Sequence, residues 1–233
     1  MNKNLQKTRI LKGIIFIIGI FITGLAVNVL LRARLGAGAW DTVTYNLSQL
    51  IKSSLGIASA IVNFTVLLVV ILANRKWKYL FVLIPIASIA LAIDFWDLLV
   101  FRDFTVDRFI FQLLFYLIGA IVLPLGLAVV MTSKLPAMVF DELTLALMHL
   151  FKVKRFFTMR IFIELFAIIL ASVLGFVAGI RFGAVNIGSF ILAFSIGPVI
   201  SLHLKWLTPL VDPLVTPNEK YESEVLIDET LDF

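Results

Sequence analysis

Six apolar runs, separated by short polar or basic stretches, dominate the chain. Each is close to the length of about 20 residues that an α-helix needs to cross the hydrocarbon core of a bilayer. Pro85 and Pro124 lie inside two of the runs, where neighbouring helices can satisfy the carbonyl groups that a proline leaves free. We therefore predict six transmembrane helices, at 13–31, 57–73, 79–101, 109–132, 156–176 and 184–204.

Two further segments, 35–52 and 135–152, are too short and too polar to cross a bilayer. In each, apolar side chains recur at helical spacing on one face, while Asp41 or Asp141 falls on the opposite face. We predict that each is an amphipathic half-helix, either re-entrant or lying along the membrane interface. A glycine or proline before it permits a sharp turn. The motif comprises Gly36, Gly38, Trp40, Thr44, Pro136, Phe140 and Thr144.

The two half-helical segments are copies of one another. Aligned without a gap they share seven residues, where chance in so Leu- and Ala-rich a chain gives about two. The similarity extends outward, because 18–19 matches 118–119, and 86–92 resembles 187–193 after a one-residue slip. The identical pairs are Leu35/Leu135, Ala37/Ala137, Asp41/Asp141, Thr44/Thr144, Leu47/Leu147, Leu50/Leu150 and Lys52/Lys152.

Each copy belongs to a half with three predicted spans, 13–101 and 109–204. Because an odd number of crossings reverses the direction of entry, the second half enters the membrane from the opposite side. The predicted fold class is an all-α polytopic membrane protein with six transmembrane helices. They form two inverted three-helix repeats, each with an amphipathic or re-entrant half-helix, related by a pseudo-two-fold axis in the membrane plane.

Composition excludes a soluble domain and several kinds of site. The 233 residues are 61% hydrophobic and 15% charged, with a mean hydropathy of +1.06, which a soluble fold cannot bury. No cysteine is present, so disulfides and thiolate metal sites are excluded. Two histidines are too few for a histidine metal cluster, and we expect no metal and no cofactor.

The net charge of +5 follows membrane topology, because the basic residues lie at the ends of apolar runs; we expect no nucleic-acid partner. Fourteen lysines and arginines on one side against six on the other place both termini in the cytoplasm. The first run exceeds a signal-peptide core of about 7 to 15 residues, so it should remain as an anchor after the cytoplasmic segment 1–12. At the other end, Pro209, Pro213 and Pro217 are expected to break any helix, which predicts an acidic, solvated cytoplasmic tail over 205–233.

Ionisable residues inside apolar helices are the best pointers to function, because each costs about 2.5 to 3.5 kcal/mol at mid-helix on insertion scales. Asp41 and Asp141 allow two interpretations: caps of their own half-helices, or carboxylates near the midplane that couple protons or cations. An aspartate at a helix N-terminus neutralises the potential that would attract an anion. The site is therefore expected to be cationic, protonic or structural.

Arg160 and Glu164 lie four residues apart on the fifth predicted span and can pair within that helix. They form either a structural ion pair or a contact to a gate or substrate. Three further polar residues are pathway candidates. Asp94 lies one turn inside the third span, whereas Asn63 and Asn186 are expected to form interhelical hydrogen bonds.

Several motifs carry a family resemblance: Leu-Gly-x-Gly-x-Trp-Asp at 35–41, Gly-Ile-Ala-Ser at 56–59, Arg-x-x-x-Glu at 160–164, and the stretch 183–188 leading to Ile-Gly-Pro at 196–198. Together they resemble the YczE/YyaS/YitT family of bacterial integral membrane proteins. Within that family the chain resembles the YczE branch, whose members have no soluble C-terminal domain. The resemblance implies a six-span protein of the bacterial plasma membrane with a poorly defined biochemical function.

No phosphate-binding loop, His-Glu-x-x-His or Gly-x-Ser-x-Gly motif is present, so an enzyme is not expected. The leading hypothesis is a small secondary transporter or carrier of an unknown solute or ion, with its pathway at the repeat interface. The alternative is a non-transporting membrane protein that regulates a protein partner through its cytoplasmic tail and loops. Besides the lipid bilayer, a second copy of the chain is a candidate partner.

Overall fold

The computed structural model describes residues 3–75, 77–135 and 138–216, and the regular secondary structure of this part of the chain is helical. A 3-10 turn (Trp77–Val82) and a π-helical turn (Phe95–Val100) flank the fourth α-helix. The α-helices of the described residues are α1 (Lys3–Ala33), α2 (Ala39–Ile51), α3 (Leu55–Asn74), α4 (Leu83–Asp94), α5 (Phe109–Thr132), α6 (Val139–Phe151), α7 (Phe156–Val177) and α8 (Ile187–Val215).

Six helical stretches are long and apolar enough to cross a membrane, which confirms the six predicted spans. The fifth α-helix coincides with the prediction at 109–132, and α3 extends the prediction at 57–73 by one or two residues at each end. Many large apolar side chains on these helices are exposed, as expected where the surrounding solvent is hydrocarbon. The six stretches indicate a multi-pass membrane protein.

The last helix corrects one prediction. Residues from 205 onward were expected to leave the helix at its prolines, but α8 continues to Val215 through Pro209 and Pro213. A proline removes one backbone donor, and neighbouring groups can satisfy the freed carbonyl in a membrane helix. An ion pair also holds this end, because Lys134 Nζ lies 3.1 Å from Asp212 Oδ1. The remainder of the predicted tail, 217–233, lies outside the described residues.

Helices α1 and α5 pack closely at glycines. A Cβ atom at Gly19 would lie 2.7 Å from Val130, and one at Gly126 would lie 2.6 Å from the Thr23 hydroxyl. Gly119 meets Leu30 in the same way. Since the contacts pair rising numbers on α1 with falling numbers on α5, the two helices run antiparallel.

The two half-helices, α2 and α6, each pack on a spanning helix from the other half of the chain. Their apolar faces confirm the predicted amphipathic pattern, with Trp40 and Val43 of α2 and Leu143 of α6 buried in one core cluster. Within the bundle, α2 lies mainly against α7 and α6 against α3. Each half-helix ends at a lysine in the left-handed conformation, Lys52 and Lys152, so this matched pair of the sequence repeat occupies the same backbone position in both copies.

Candidate functional site

The glycine-rich loop before α2 is seated on the start of α8. The carbonyl of Leu35 accepts a 2.8 Å hydrogen bond from the N–H of Gly188, and the N–H of Ala37 donates to Ser189 Oγ at 3.2 Å. Gly36 has a φ of +118° and a Cβ there would collide with Ser189, so both conformation and space require glycine. This loop fixes where α2 begins.

A buried amide holds the middle of α2. Asn46 donates through Nδ2 to the carbonyls of Ala171 (2.7 Å) and Phe182 (3.1 Å), while its Oδ1 accepts from the N–H of Ala184 at 3.0 Å. These bonds join α2 to α7 and to the loop before α8. Sequence analysis missed this residue; the available signal was an asparagine on the half-helix where the second copy has Ala146.

Replacing Asn46 with alanine should lower the thermal stability of the detergent-solubilised protein. The substitution leaves two carbonyls and one N–H without their partner, and each unsatisfied buried group costs about 1–3 kcal/mol. The effect is measured by size-exclusion chromatography, as the fraction of protein that stays monodisperse after heating. Gln49→Ala is the matched control, because Gln49 is exposed on the same helix. Equal unfolding temperatures for the two variants would contradict the assigned role.

Both half-helices begin at one cavity of about 100 Å³, which has room for a few water molecules. We call this space the carboxylate cavity. Its walls combine apolar side chains from α1, α4, α5 and α8 with polar groups from α1 and from the other four helices. The polar groups are Thr23 of α1, Asp41 and Thr44 of α2, Ser59 and Asn63 of α3, Asp141 of α6, and Arg160 and Glu164 of α7.

Arg160 joins two of the three carboxylates in this cavity. Its Nε donates to Glu164 Oε1 at 2.9 Å, and its Nη1 donates to Asp141 Oδ1 at 2.5 Å. The Glu164 side chain is only 6% exposed, and those of Arg160 and Asp141 are 15% and 30% exposed. The predicted pair within α7 is therefore present, and it is one half of a fork that also anchors the start of α6.

The capping interpretation of the two aspartates is wrong. The N-cap residues of α2 and α6 are Gly38 and Met138, and each aspartate lies two residues inside its helix. The two carboxylates have different surroundings, since Asp141 binds Arg160 whereas Asp41 has no hydrogen-bond partner among the described residues. Burial, with a smaller contribution from the nearby Glu164 carboxylate, raises the pKa of Asp41 from 3.8 to about 7.

A pair of aromatic rings lies beside the aspartates. Trp40 and Phe140, which occupy equivalent positions in the sequence repeat, stack with ring centroids 4.5 Å apart and an interplanar angle of 21°. Trp40 is 8% exposed, and its buried Nε1 has no hydrogen-bond partner within the described part of the chain. Both rings line the carboxylate cavity.

The other predicted pathway residues lie apart from the three carboxylates or bond locally. Asp94 is outside the cavity, where its carboxylate accepts from the Ser54 hydroxyl (2.7 Å) and the N–H of Gly56 (2.6 Å) and so caps α3. Asn63 lines the cavity, but its hydrogen bonds among the described residues go to Ser59 of its own helix, so the predicted interhelical bond is wrong.

Asn186 is the N-cap of α8, and its Nδ2 donates to the carbonyl of Arg34 after α1. Thr144 of the predicted motif donates within α6 to the carbonyl of Phe140 at 2.8 Å. Pro136 of the same motif lies outside the described residues. In the residues that are described, no group of three or more His, Asp or Glu side chains is arranged to hold a metal ion.

A second polar network, at the end of α1, was also missed. Arg32 donates to Asp97 Oδ1 and to the carbonyl of Phe101, both at 2.8 Å, and to Asn28 Oδ1 at 2.9 Å. The Asn28 amide in turn donates to the carbonyl of Ile93. These bonds tie α1 to the end of the third span, and the side chains of Arg32, Asn28 and Asp97 do not line the carboxylate cavity, so we assign them a structural role.

Comparison with known proteins gives a family without an assigned activity. The chain is similar to "Uncharacterized protein YyaS" of Bacillus subtilis (strain 168), with 25% identity over 152 residues that cover 65% of this chain and 76% of that protein. No solved structure gives a significant match. Residues 10–205 match DUF6198, a family of unknown function. Because this match spans most of the sequence, the chain belongs to the DUF6198 family.

Proposed function

We propose that this protein is a small secondary transporter or carrier, coupled to protons or another cation through the carboxylate cavity. The observation that carries the proposal is that Asp41, Asp141 and Glu164, contributed by both halves of the chain, line one cavity where both half-helices begin. Half-helices whose N-termini meet at a shared polar site between repeats are typical of secondary transporters.

The proposed architecture is a pair of inverted repeats, and three features support it. Gly19–Val130 and Leu30–Gly119 are the same contact with the halves exchanged, as expected for a two-fold relation between antiparallel helices. The packing of α2 on α7 and of α6 on α3 exchanges in the same way. The third feature is the stacking of the equivalent rings Trp40 and Phe140.

The proposed coupling group is Asp41. With every group ionised, the cavity holds three carboxylates and one guanidinium, and the positive ends of two helix dipoles offset part of the excess negative charge. Arg160 is engaged by Asp141 and Glu164, which leaves Asp41 to gain and release the proton. The first half has Ala60 where the second half has Arg160. Asp41 therefore lacks an equivalent arginine from its own half of the repeat, which would hold its carboxylate ionised.

In this mechanism, protonation of Asp41 neutralises a half-buried charge and so lowers the cost of closing the cavity around it. Release of the proton restores the charge and favours opening to water. Rocking of one repeat against the other around the shared site would expose the cavity to the two sides in turn. We further propose a location in the bacterial plasma membrane with cytoplasmic termini, and a relation to the YczE branch, on the basis of the basic-residue distribution and the sequence motifs.

Reconstituted vesicles provide the test. With a pH-sensitive dye trapped inside, inward gradients of small cations, amines and neutral solutes are imposed one at a time, and at least one should drive a pH change absent from protein-free vesicles. The alternative, a regulator acting through its tail, is separated by deleting 217–233, which leaves α8 and its Asp212 ion pair intact. A transporter core should retain its flux without the tail. Proton coupling is refuted if no solute moves protons with the full chain.

A further inference from the structure

A second and much larger space lies on the other side of the half-helices. It is an apolar groove of about 720 Å³, within the range of sites that bind drug-sized ligands. Spanning helices α3 and α7 form its sides, and α2 and α6 form its floor. We call it the lateral groove. It is lined by Trp40, Val43, Leu47, Leu143, Leu147 and Phe151 from the half-helices, with apolar residues of α3 and α7 and the single hydroxyl of Thr65.

The lateral groove opens toward the outside of the bundle. Its rim includes Ile61 and Val69 of α3 and Phe162 and Phe166 of α7, which are all exposed. These residues lie within helices that span the bilayer, so the groove faces hydrocarbon. Water would find few polar partners on this lining, and an empty groove would forfeit the dispersion contacts of its walls.

The inner end of the groove reaches the wall of the carboxylate cavity. Trp40 lines both spaces, and its stack with Phe140 lies between them. Helix α7 divides them in the same way, because Met159 and Ile163 face the groove whereas Arg160 and Glu164 face the cavity. A molecule in the groove would therefore contact the tryptophan next to Asp41.

We propose that the lateral groove binds the hydrocarbon chain of a membrane phospholipid, which enters sideways between α3 and α7 and contacts Trp40. In the described part of the chain the lining carries no ionisable side chain, so it offers nothing to a charged headgroup, which stays outside the rim. A water-soluble partner would have to enter hydrocarbon to reach an opening between two spanning helices. The inference does not depend on transport, since it rests on the shape and chemistry of the groove and on its opening between two spanning helices.

Fluorescence quenching by brominated lipids tests the proposal. A protein whose single tryptophan is Trp40 is made with Trp77→Phe, Trp96→Phe and Trp206→Phe, and is reconstituted into phosphatidylcholine with bromine at several depths along the chain. Although Trp40 is buried, bromine at one depth should quench it as strongly as it quenches exposed Trp206 in a matched single-tryptophan protein. Absence of Trp40 quenching, with Trp206 quenched normally, would overturn the proposal.

Filling the groove gives a second test with the same readout. Thr65→Phe places a ring at the mouth of the groove from an exposed position and should reduce the quenching of Trp40. Leu68→Phe adds a ring to an exposed position of the same helix that does not line the groove, and should leave quenching unchanged. Equal quenching in both variants would show that the lipid reaches Trp40 by another route. Protection of Trp40 in a protein that forms a dimer would assign the groove to a second copy, and would equally refute a lipid site.

Discussion

Replacing Asp41 with asparagine should abolish solute-driven proton movement in reconstituted vesicles while the yield of folded protein is maintained. Asparagine keeps the size of the side chain but cannot carry the proton. Asp41 has no hydrogen-bond partner among the described residues, so the change removes no contact that holds the fold. The measurement is the initial rate of internal pH change at equal protein density. Asp103→Asn, on an exposed loop position, is the control and should transport normally.

The same variant predicts a pH-dependent gain in stability that needs no knowledge of the solute. The pKa of Asp41 is raised from 3.8 to about 7 in the folded protein. Ionising this group therefore lowers the free energy of unfolding as the pH rises between those two values. Asp41→Asn should therefore unfold at the same temperature as the wild type near pH 4, at a higher one by pH 7, and with a constant difference above that. A constant difference from pH 4 to pH 8 would refute the assigned titration.

Replacing Arg160 with glutamine should cause the largest loss of stability. The guanidinium binds Asp141 and Glu164, and removing one partner of a buried ion pair costs about 3–5 kcal/mol. Arg160→Lys should rescue stability only in part, since an ammonium lacks the planar fork that reaches two carboxylates. Thermal unfolding in detergent measures both variants.

Two comparisons give the Arg160 prediction its specificity. Arg155→Gln removes an exposed charge at the start of the same helix and should leave the unfolding temperature unchanged. Adding Glu164→Gln to Arg160→Gln should restore part of the lost stability, because the buried charge left unpaired is then removed. Unchanged stability in Arg160→Gln alone would exclude the fork as a structural element.

Local pattern was sufficient for the helices and for the pairing of their sequences. A span is specified by its own length and hydropathy, because a bilayer requires every backbone group to be satisfied within the helix; the prediction at 109–132 therefore coincides with α5. The half-helices could be predicted equally well, since their amphipathic faces and the repeated Asp, Thr and Lys positions depend only on residues close together in the sequence. The end of α8 was misjudged because proline weakens a helix locally, whereas contacts such as the Lys134–Asp212 ion pair are formed between distant segments.

The roles of individual polar residues could not be read in this way. Asp41 and Asp141 are identical in the sequence repeat, yet one is bound by Arg160 and the other is not. Asp94 was predicted to be a pathway candidate, but it caps α3. Asn46 was not among the candidates, although it holds α2 against α7.

By itself, therefore, the sequence determined that this is a six-span membrane protein with two copies of a half-helical motif and buried carboxylates. Only the tertiary structure decided that three of those carboxylates share one cavity, that Arg160 engages two of them, and that an apolar groove reaches the far side of Trp40. The physical reason is that hydropathy and helical periodicity act over a few residues. Charge pairing, burial and cavity shape depend on which helices become neighbours, and no short stretch of the chain encodes that.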